Sequence, residues 1–563
     1  MTNHADQATN GQTQSDPQLH ATGDVNNTNP CNNHKPSKDY MKIATLNMWG
    51  RTCTIQGYRQ DKWFQIYRVI NTSRTAILAI QETHLTDELA NSVKSSFNTK
   101  LALHYSPLPE TRNAAGVAFV INKGMLNADK VSCEEVIPGR ALLATIAWHA
   151  DTKIKILNVY APNDPKNNEN FWEKLNEIIS TKPHLRPDVM LGDFNLVEDS
   201  LDRLPCHPDN VSAVAALEEL KSTLNLVDGW RRTNPDKRKY SHLHTPNASQ
   251  GRIDRIYITN HLLPPAKEWK IDPPIIETDH WLVSAKITTP ETPEVGKGRW
   301  QIPTYLFDNE DIIEEINTMG KEALDEIEIN RHRRTHMTNP QTIFAKFKAK
   351  IVALCRNKAK VVHPTITNKI DKLRKRLDLV NNNENIPEDD RMLESIVVKT
   401  EILELERILF ESNRVYAKAK HHVHAETICR DWIRTNRQKK PRDTIFSLYN
   451  PLDESPTPTY DSREMAELAK RYHENLQTKD RDPTSPPDQT KLEAVLENIT
   501  SKVTQEQKSV LARHLKWGDI HTALSDSAND KAAGLDGIPI SSCSPVSINL
   551  MLTNRARFIN VPA

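Results

Sequence analysis

The apolar residues of this chain change period along its length. From Met41 to about Thr288, short apolar or alternating runs predict strands over 42–49, 76–80, 116–121, 141–148, 153–160, 189–191, 249–258 and 277–287. Between them, residues 63–70, 171–179 and 213–224 carry apolar positions at helical spacing. Strands alternating with helices predict one large α/β domain over 41–288. Pro290, Pro293, Gly296, Gly298 and Pro303 mark 289–305 as a linker. From 306 to 450 the pattern turns helical, clearest over 343–354, 366–380 and 392–419, and the stretch from Lys346 to Arg376 is basic. A solvated helix face is the plainer account of such a charge run, and a phosphate-facing role the more demanding one. Residues 451–527 mix Pro, Asp, Ser and Thr with short helices, and 528–563 end the chain in a glycine-punctuated loop and an aperiodic tail.

Composition changes this picture at the ends. Residues 1–40 are rich in Asn, Thr, Gln, Asp and His and nearly free of large apolar side chains, which predicts a disordered tail. A hydrophobic content of 37% and a mean hydropathy of −0.62 agree with solvated segments beside folded ones. The net charge of +1 assigns no partner, so nucleic-acid contacts would have to come from local basic patches. Seven cysteines (Cys31, Cys53, Cys133, Cys206, Cys355, Cys429 and Cys543) stand in no metal-ligand spacing, and their number is odd. That argues against a disulfide framework and a zinc ribbon. With no apolar signal segment and no run of the ~20 apolar residues a membrane span needs, a nuclear or cytoplasmic, non-secreted protein without a membrane partner is expected.

The chemistry begins at Asp188–Asn195. Val189-Met-Leu191 is apolar, then Gly192 is followed by Asp193 and Asn195. Two residues apart on an extended chain, these side chains would face the same way, a pairing suited to a hard cation or a phosphate. A Gly-Asp turn accounts for this stretch equally well. Polar residues recur, however, at other strand ends: Asn47, Glu82, Tyr160 with Asn163, Asp254, and Asp279 with His280. Each alone has a plain alternative: a turn asparagine, a surface carboxylate, an Asp254 paired with Arg252 and Arg255, or a satisfied core histidine. Six such strand ends in one domain point to a shared pocket.

The chemistry they fit is phosphodiester hydrolysis. Asn47, Glu82 and Asp279 offer oxygen ligands for Mg²⁺, with Mn²⁺ as the alternative. Asp193 would orient or deprotonate the attacking water, and Asn195 would fix it. His280 would bind the scissile phosphate, Asp254 would hold the imidazole, and Tyr160 would donate to a phosphate oxygen.

Asn47, Gln81-Glu-Thr83, Asn158-Val-Tyr-Ala-Pro-Asn163, Gly192-Asp-Phe-Asn195, Arg252-Ile-Asp-Arg255 and Thr278-Asp-His280 resemble, in order, the motif set of the endonuclease/exonuclease/phosphatase superfamily. That superfamily contains DNase I and the exonuclease III type of apurinic/apyrimidinic endonuclease. The resemblance implies a four-layer α/β sandwich of two mixed sheets flanked by helices. It assigns Asn47, Glu82 and Asp279 to metal, Tyr160, Asp193, Asn195 and His280 to phosphate and water, and Asp254 to a place behind the histidine. Repair-type members carry a carboxylate two residues after the first asparagine. Here that position is Trp49, which leans away from a dedicated repair enzyme.

Asp228-Gly-Trp-Arg231, Gly296-Lys-Gly-Arg-Trp300, the basic helical spacer and Gly534-Leu-Asp-Gly-Ile-Pro539 resemble LINE-type non-LTR retrotransposon polyproteins, in which the endonuclease precedes a reverse transcriptase. The chain ends shortly after that loop, and Asp389-Asp390 sits in a polar context unlike a polymerase hairpin. The expectation is an endonuclease followed by a truncated reverse-transcriptase start, without polymerase activity. It would nick double-stranded DNA to leave a 3′ hydroxyl, a product implied by the family. The basic helices are candidates for contacting the element's RNA. Two alternatives stay open at this point: a phosphoesterase of the same fold with another substrate (an RNA deadenylase, an inositol-phosphate phosphatase or a sphingomyelinase), or a decayed element that only binds nucleic acid.

Overall fold

The alternating runs between 41 and 288 fold, in a computed structural model of the chain, as β1 (Met41–Asn47), α1 (Trp63–Thr72), β2 (Ile77–Gln81), α2 (Asp87–Phe97), β3 (Leu101–Ser106), β4 (Val117–Asn122), β5 (Val131–Ile137), β6 (Ala141–Ala147), β7 (Lys153–Tyr160), α3 (Pro165–Thr181), β8 (Val189–Asp193), α4 (Val211–Leu224), β9 (Leu226–Asp228), α5 (Gly229–Thr233), β10 (Asp254–Thr259), β11 (Lys267–Asp272) and β12 (Leu282–Ile287). The structure describes residues 40–288 apart from short breaks at 56–57, 109–114, 149–152, 245–247 and 275. It also describes 37–38, 292, 294–295, most of 300–424, and parts of 437–538. The expected disordered tail, up to residue 36, and the final 539–563 lie outside the described residues.

The strands form two six-stranded sheets, ordered β11-β12-β1-β2-β4-β3 and β9-β10-β8-β7-β6-β5. Each sheet has one parallel pair at its centre, β1 with β2 and β7 with β8. A parallel pair needs a crossover, and α1 and α3 supply them. Three apolar layers follow. Ala44, Leu46, Leu78 and Ile80 face α1 through Trp63, Ile66 and Ile70. Ile43, Ile77, Phe119, Ile156, Leu191 and Ile256 lie in one core between the sheets. Leu157, Val159 and Met190 meet Phe171, Trp172 and Leu217 of α3 and α4. The result is the four-layer α/β sandwich that the motif resemblance implied.

Several expectations are corrected. The segments read as strands 249–258 and 277–287 are shorter: β10 begins at Asp254 and β12 at Leu282, so Asp254 sits at a strand mouth rather than inside a strand. Strands β3, β5 and β11 were not expected at all. All three are sheet edges, where one flank is solvated and the apolar pattern fades; β11 buries only Ile271 fully. Helix α2 escaped for the same reason, burying just Ala90 and Phe97.

Beyond 288 the chain continues as α6 (Glu310–Ile329), α7 (Pro340–Val361), α8 (Thr365–Asn382), α9 (Glu388–His424), α10 (Ser462–Thr478), α11 (Gln489–Glu497) and α12 (Gln505–Ala512). Helices α6 and α7 share a core of their own with Ile302 and Leu306. The hairpin α8–α9 behaves differently. Ile370, Leu377, Val398 and Ile402 join the core that also holds Trp230 and Trp281 of the sandwich. Lys399 is buried there, with Nζ donating to the side-chain amide oxygen of Gln250 and over the Trp281 ring at 4.9 Å. The stretch expected to be a basic spacer thus spends its apolar face on the sandwich. Among the described residues, no helix is long and apolar enough to cross a membrane.

Candidate active site

The candidate residues gather where the central parallel pairs end. Asn47 of β1 pairs in register with Gln81 of β2, and Tyr160 of β7 with Asp193 of β8. Antiparallel β10 then sets Asp254 opposite Asp193. Carboxyl ends of adjacent parallel strands form a natural rim for a site. Between the sheets, Gln81 donates to Asn158 Oδ1 (2.7 Å) and to Thr45, while Asn158 donates to the carbonyls of Ile80 and Ala118, so the two strand centres are cross-linked just behind the rim.

Gly192 permits this approach. Its φ is +149°, and a Cβ there would lie 1.9 Å from the Val159 carbonyl oxygen. Only glycine lets β8 run this close to β7 and deliver Asp193 beside Tyr160. The chain then turns. Asn195 adopts φ +49°, its N–H donates to Asp193 Oδ1 (3.0 Å), and its carboxamide donates to the Ala161 carbonyl (2.8 Å). The extended step that would have put Asp193 and Asn195 on one face does not occur, and Asn195 shapes the turn.

One half of the site is built from carboxylates. Asn47 Nδ2 donates to Glu82 Oε1 (2.8 Å) and to Asp193 Oδ2 (2.9 Å). Tyr160 donates to the same Glu82 oxygen at 2.9 Å. The guanidinium of Arg140 covers the Tyr160 ring at 4.7 Å. Burial, with the Glu82 and Asp193 charges, pushes the Tyr160 phenol far up, so it is a standing donor. Burial also pushes the Asp193 carboxyl up, to about 7, with the Asp254 charge adding to it.

The other half is built around His280. Its Nδ1 lies 2.8 Å from Asp254 Oδ2, and its Nε2 lies 3.9 Å from Asp193 Oδ2 and 3.8 Å from Asp279 Oδ1. Ser241 donates to the same Asp254 oxygen (2.8 Å), and its hydroxyl accepts the Asp254 N–H. Burial opposes a charged imidazole, but Asp254, Asp193 and Asp279 outweigh it and raise His280 to about 10. The imidazolium therefore donates through Nδ1 to Asp254 and presents Nε2–H toward the carboxylates of Asp193 and Asp279. Burial likewise pushes Asp279 up, yet the His242 hydrogen bond and the two histidine charges leave its carboxyl below the ordinary range. The plainer alternative, Asp254 paired with Arg252 and Arg255, is not what the structure holds: Arg252 is turned to Asp202 and Asp228.

The metal-ligand set is not brought together as expected. Glu82 fits a hard cation: one carboxylate oxygen is shared by Asn47 and Tyr160, and among the described residues the other meets only His84, at 4.0 Å. Asn47 is turned otherwise, with its carbonyl oxygen on the Trp49 N–H (2.9 Å) and its nitrogen bridging Glu82 and Asp193. Asp279 joins the histidines, and among the described residues no hydrogen bond or ion pair links it to Glu82 or Asn47. Two further groups have the spacing to hold a cation, His242–Asp279–His280 and Asp193–Asp254–His280. Glu82 belongs to neither group, and its carboxylate is the oxygen ligand that suits a hard cation on the Asn47 side of the site.

Ser241, His242, His84 and Arg140 were not among the residues singled out in the sequence. Ser241 and His242 enter through an isolated bridge between His242 and His280, a long-range pairing that no local pattern announces. Arg140 follows a turn and carried no signal of its own.

The cluster at the ends of the parallel strands combines carboxylates, a charged imidazole and a phenol donor, groups that suit a phosphoester. Residues 44–282 match the model of the Endonuclease/Exonuclease/phosphatase family. Over 514 residues the chain is 24% identical to a Xenopus laevis protein described as "Transposon TX1 uncharacterized 149 kDa protein", covering 89% of this chain and 36% of that one. The chain thus spans about a third of that relative's length. Similar solved structures include the AP endonuclease LMAP from Leishmania major, with a TM-score of 0.38 at 15% identity, covering 45% of this chain and 88% of that one. The endonuclease domain of TRAS1, a telomere-specific non-LTR retrotransposon, gives a TM-score of 0.33 at 14% identity, covering 44% and 98%.

Proposed function

We propose that the sandwich domain is a Mg²⁺-dependent DNA endonuclease that nicks one strand at a retrotransposon target site. The observation that carries this is the junction at Asp193: a buried carboxylate with a raised pKa, held between Asn47, which also grips Glu82, and a charged His280 steadied by Asp254. Asp193 receives the proton of the attacking water, since a base is most effective with a pKa near the working pH. His280 holds the scissile phosphate through Nε2–H, and Tyr160 supplies a second donor. Asn47 keeps Glu82 and Asp193 in place, and Asn195 sets the turn from which Asp193 projects. Glu82 would hold the metal, with Asp279, near His280 Nε2, as a second anionic group; the cation, when bound, would neutralise charge on the phosphate and the leaving oxygen. Sequence similarity to a transposon protein along most of the chain supports a target-site role over the other phosphoester substrates.

The test is plasmid nicking by the full chain. Supercoiled DNA should be relaxed with Mg²⁺ and not with EDTA, and both Glu82→Ala and His280→Ala should abolish relaxation. Faster hydrolysis of poly(A) or a phosphoinositide than of plasmid, in direct competition, would replace the DNA assignment by another substrate of the same fold. Metal-independent DNA binding with no hydrolysis of any of the three would favour a decayed, binding-only protein.

A further inference from the structure

Trp49 is a large apolar side chain that the fold holds out into solvent, 59% exposed, two residues from Asn47. A single exposed tryptophan is unremarkable on most surfaces. This one is held out at a conformational cost. Its φ is +46°, in the left-handed region that a bulky residue rarely enters, and glycine or asparagine would sit there with less strain. The surroundings enforce it from three directions. The Trp49 N–H is taken by Asn47 Oδ1 at 2.9 Å. Its carbonyl accepts from Lys62 Nζ at 3.1 Å, and the Met48 carbonyl accepts from the same amine at 2.7 Å. Next along the chain, Gly50 N–H is tied to the Glu82 carbonyl at 3.1 Å.

Lys62 is itself 1% exposed, an ammonium sunk beneath the turn to grip two carbonyls, and it also lies 5.8 Å from the Trp49 ring. A long cationic side chain normally keeps its head in water. Here the head is committed to fixing the backbone from which the indole projects. The strain is also clustered. Trp49, Glu82, His84 and Asn195 all have positive φ, and all four belong to the rim described above. Backbone strain that the surroundings over-determine is a mark of a working surface.

We infer that Trp49 is a substrate-binding platform, stacking its indole on a nucleobase next to the phosphodiester held at Asp193 and His280. An indole fixed on a rigid turn loses little freedom on binding, and stacking accepts any base because every base presents a π face. This inference rests on the nucleic-acid substrate proposed above. It assigns to Trp49 an affinity role, separate from the chemistry of Asp193 and His280.

The experiment measures binding apart from turnover. The full chain is titrated in EDTA against a fluorescein-labelled 20-base-pair duplex, and against one of its strands, following anisotropy and indole emission. Trp49→Ala should weaken binding of the preferred probe about tenfold, within the range expected for losing one base stack, with an unchanged melting temperature. Trp49→Phe should recover most of the affinity. In nicking assays the alanine variant should raise KM and leave kcat within about twofold. Wild-type affinity and KM in Trp49→Ala overturn the inference, as does a loss that Trp49→Phe does not repair. A wild-type chain that binds but never nicks removes the nuclease assignment and leaves the stacking test standing. A chain that binds neither probe removes both.

Discussion

Two buried charge clusters sit two residues apart at the mouth of β10, and they are built on opposite principles. Arg252 is closed. Its Nε and Nη2 donate to the two oxygens of Asp202 at 2.7 and 2.6 Å, its Nη1 donates to Asp228 at 2.6 Å, and Trp230 covers its guanidinium at 5.0 Å. Burial pushes the Asp202 carboxyl up, but Arg252, Arg255 and Arg231 outweigh it and hold it below the usual range. Asp254 and its neighbours are open. Asp254 Oδ1 and Asp279 Oδ1 are buried without a hydrogen-bond partner, Asp193 is pushed up to about 7, and three carboxylates share one histidine. A buried arginine whose Nε and both Nη groups are taken by carboxylates holds the fold together. A cluster left short of partners has hydrogen-bonding capacity to give a substrate.

The sharpest way to break this contrast is to remove one charge from each cluster. Asp193→Asn should lower kcat for nicking by on the order of 10²–10⁴, the usual worth of a positioned base. The melting temperature should hold or rise, because a carboxyl that burial disfavours is being neutralised. Arg252→Met should do the reverse. It takes from buried Asp202 and Asp228 their closest partner, leaving them to Arg231 and the more distant Arg255, at about 3–5 kcal/mol in urea unfolding, while the molecules still folded keep near-normal kcat. Equal destabilisation by both variants would dissolve the distinction between the clusters.

Much of the open cluster was legible in the sequence, and little of the closed one. Asn47, Glu82, Tyr160, Asp193, Asp254, Asp279 and His280 stand at strand ends, and strand ends are readable from apolar periodicity. Their grouping into a rim follows once the strands lie in one sheet or in two that face each other. What could not be read is how they divide. Nothing in Asp279-His280 tells that the aspartate turns to His242, or that Asn47 offers its nitrogen rather than its oxygen to the carboxylates. The first depends on His242, delivered from a segment about forty residues away in sequence, and the second on the Trp49 N–H, which takes the Asn47 side-chain oxygen. The docking of α8–α9 was hidden for a related reason. The charges of 346–376 dominate the local pattern, while Ile370, Leu377, Val398 and Ile402 gain meaning only against the sandwich.

The pH profile sharpens the comparison within the open cluster. Asp193 works once it has lost its proton, so nicking should rise as pH increases through about 7. His280 works while it keeps its proton, so nicking should fall as pH passes about 10, giving a bell-shaped curve. The Asp254→Asn variant removes the largest influence raising His280, so the alkaline limb should move to lower pH; it also removes the charge that adds to the rise of Asp193, so the acid limb should move down with it. In stability the sign is the same. A histidine whose folded pKa lies above its unfolded value near 6.5 contributes fully below that pH and fades as pH rises toward 10. An alkaline limb that stays put in Asp254→Asn would mean that another group carries the charge at the phosphate.

The smallest expected effect concerns Asn195, and it separates a turn residue from a water-binding one. Its carboxamide is spent on the Ala161 carbonyl, and what reaches Asp193 is its backbone N–H. Asn195→Gly keeps that N–H and tolerates φ +49°, losing only one side-chain hydrogen bond, so stability should fall by about 1 kcal/mol. Nicking should drop no more than roughly fivefold, the rate equivalent of that bond. Asn195→Ala should cost more in stability than the glycine variant, because alanine must also enter the left-handed region. That order, glycine milder than alanine by thermal melting with a similar kcat for both, is the signature of a residue that shapes the turn. A kcat loss as deep as that of Asp193→Asn, in the glycine variant at unchanged stability, would instead put the carboxamide in contact with the reacting water.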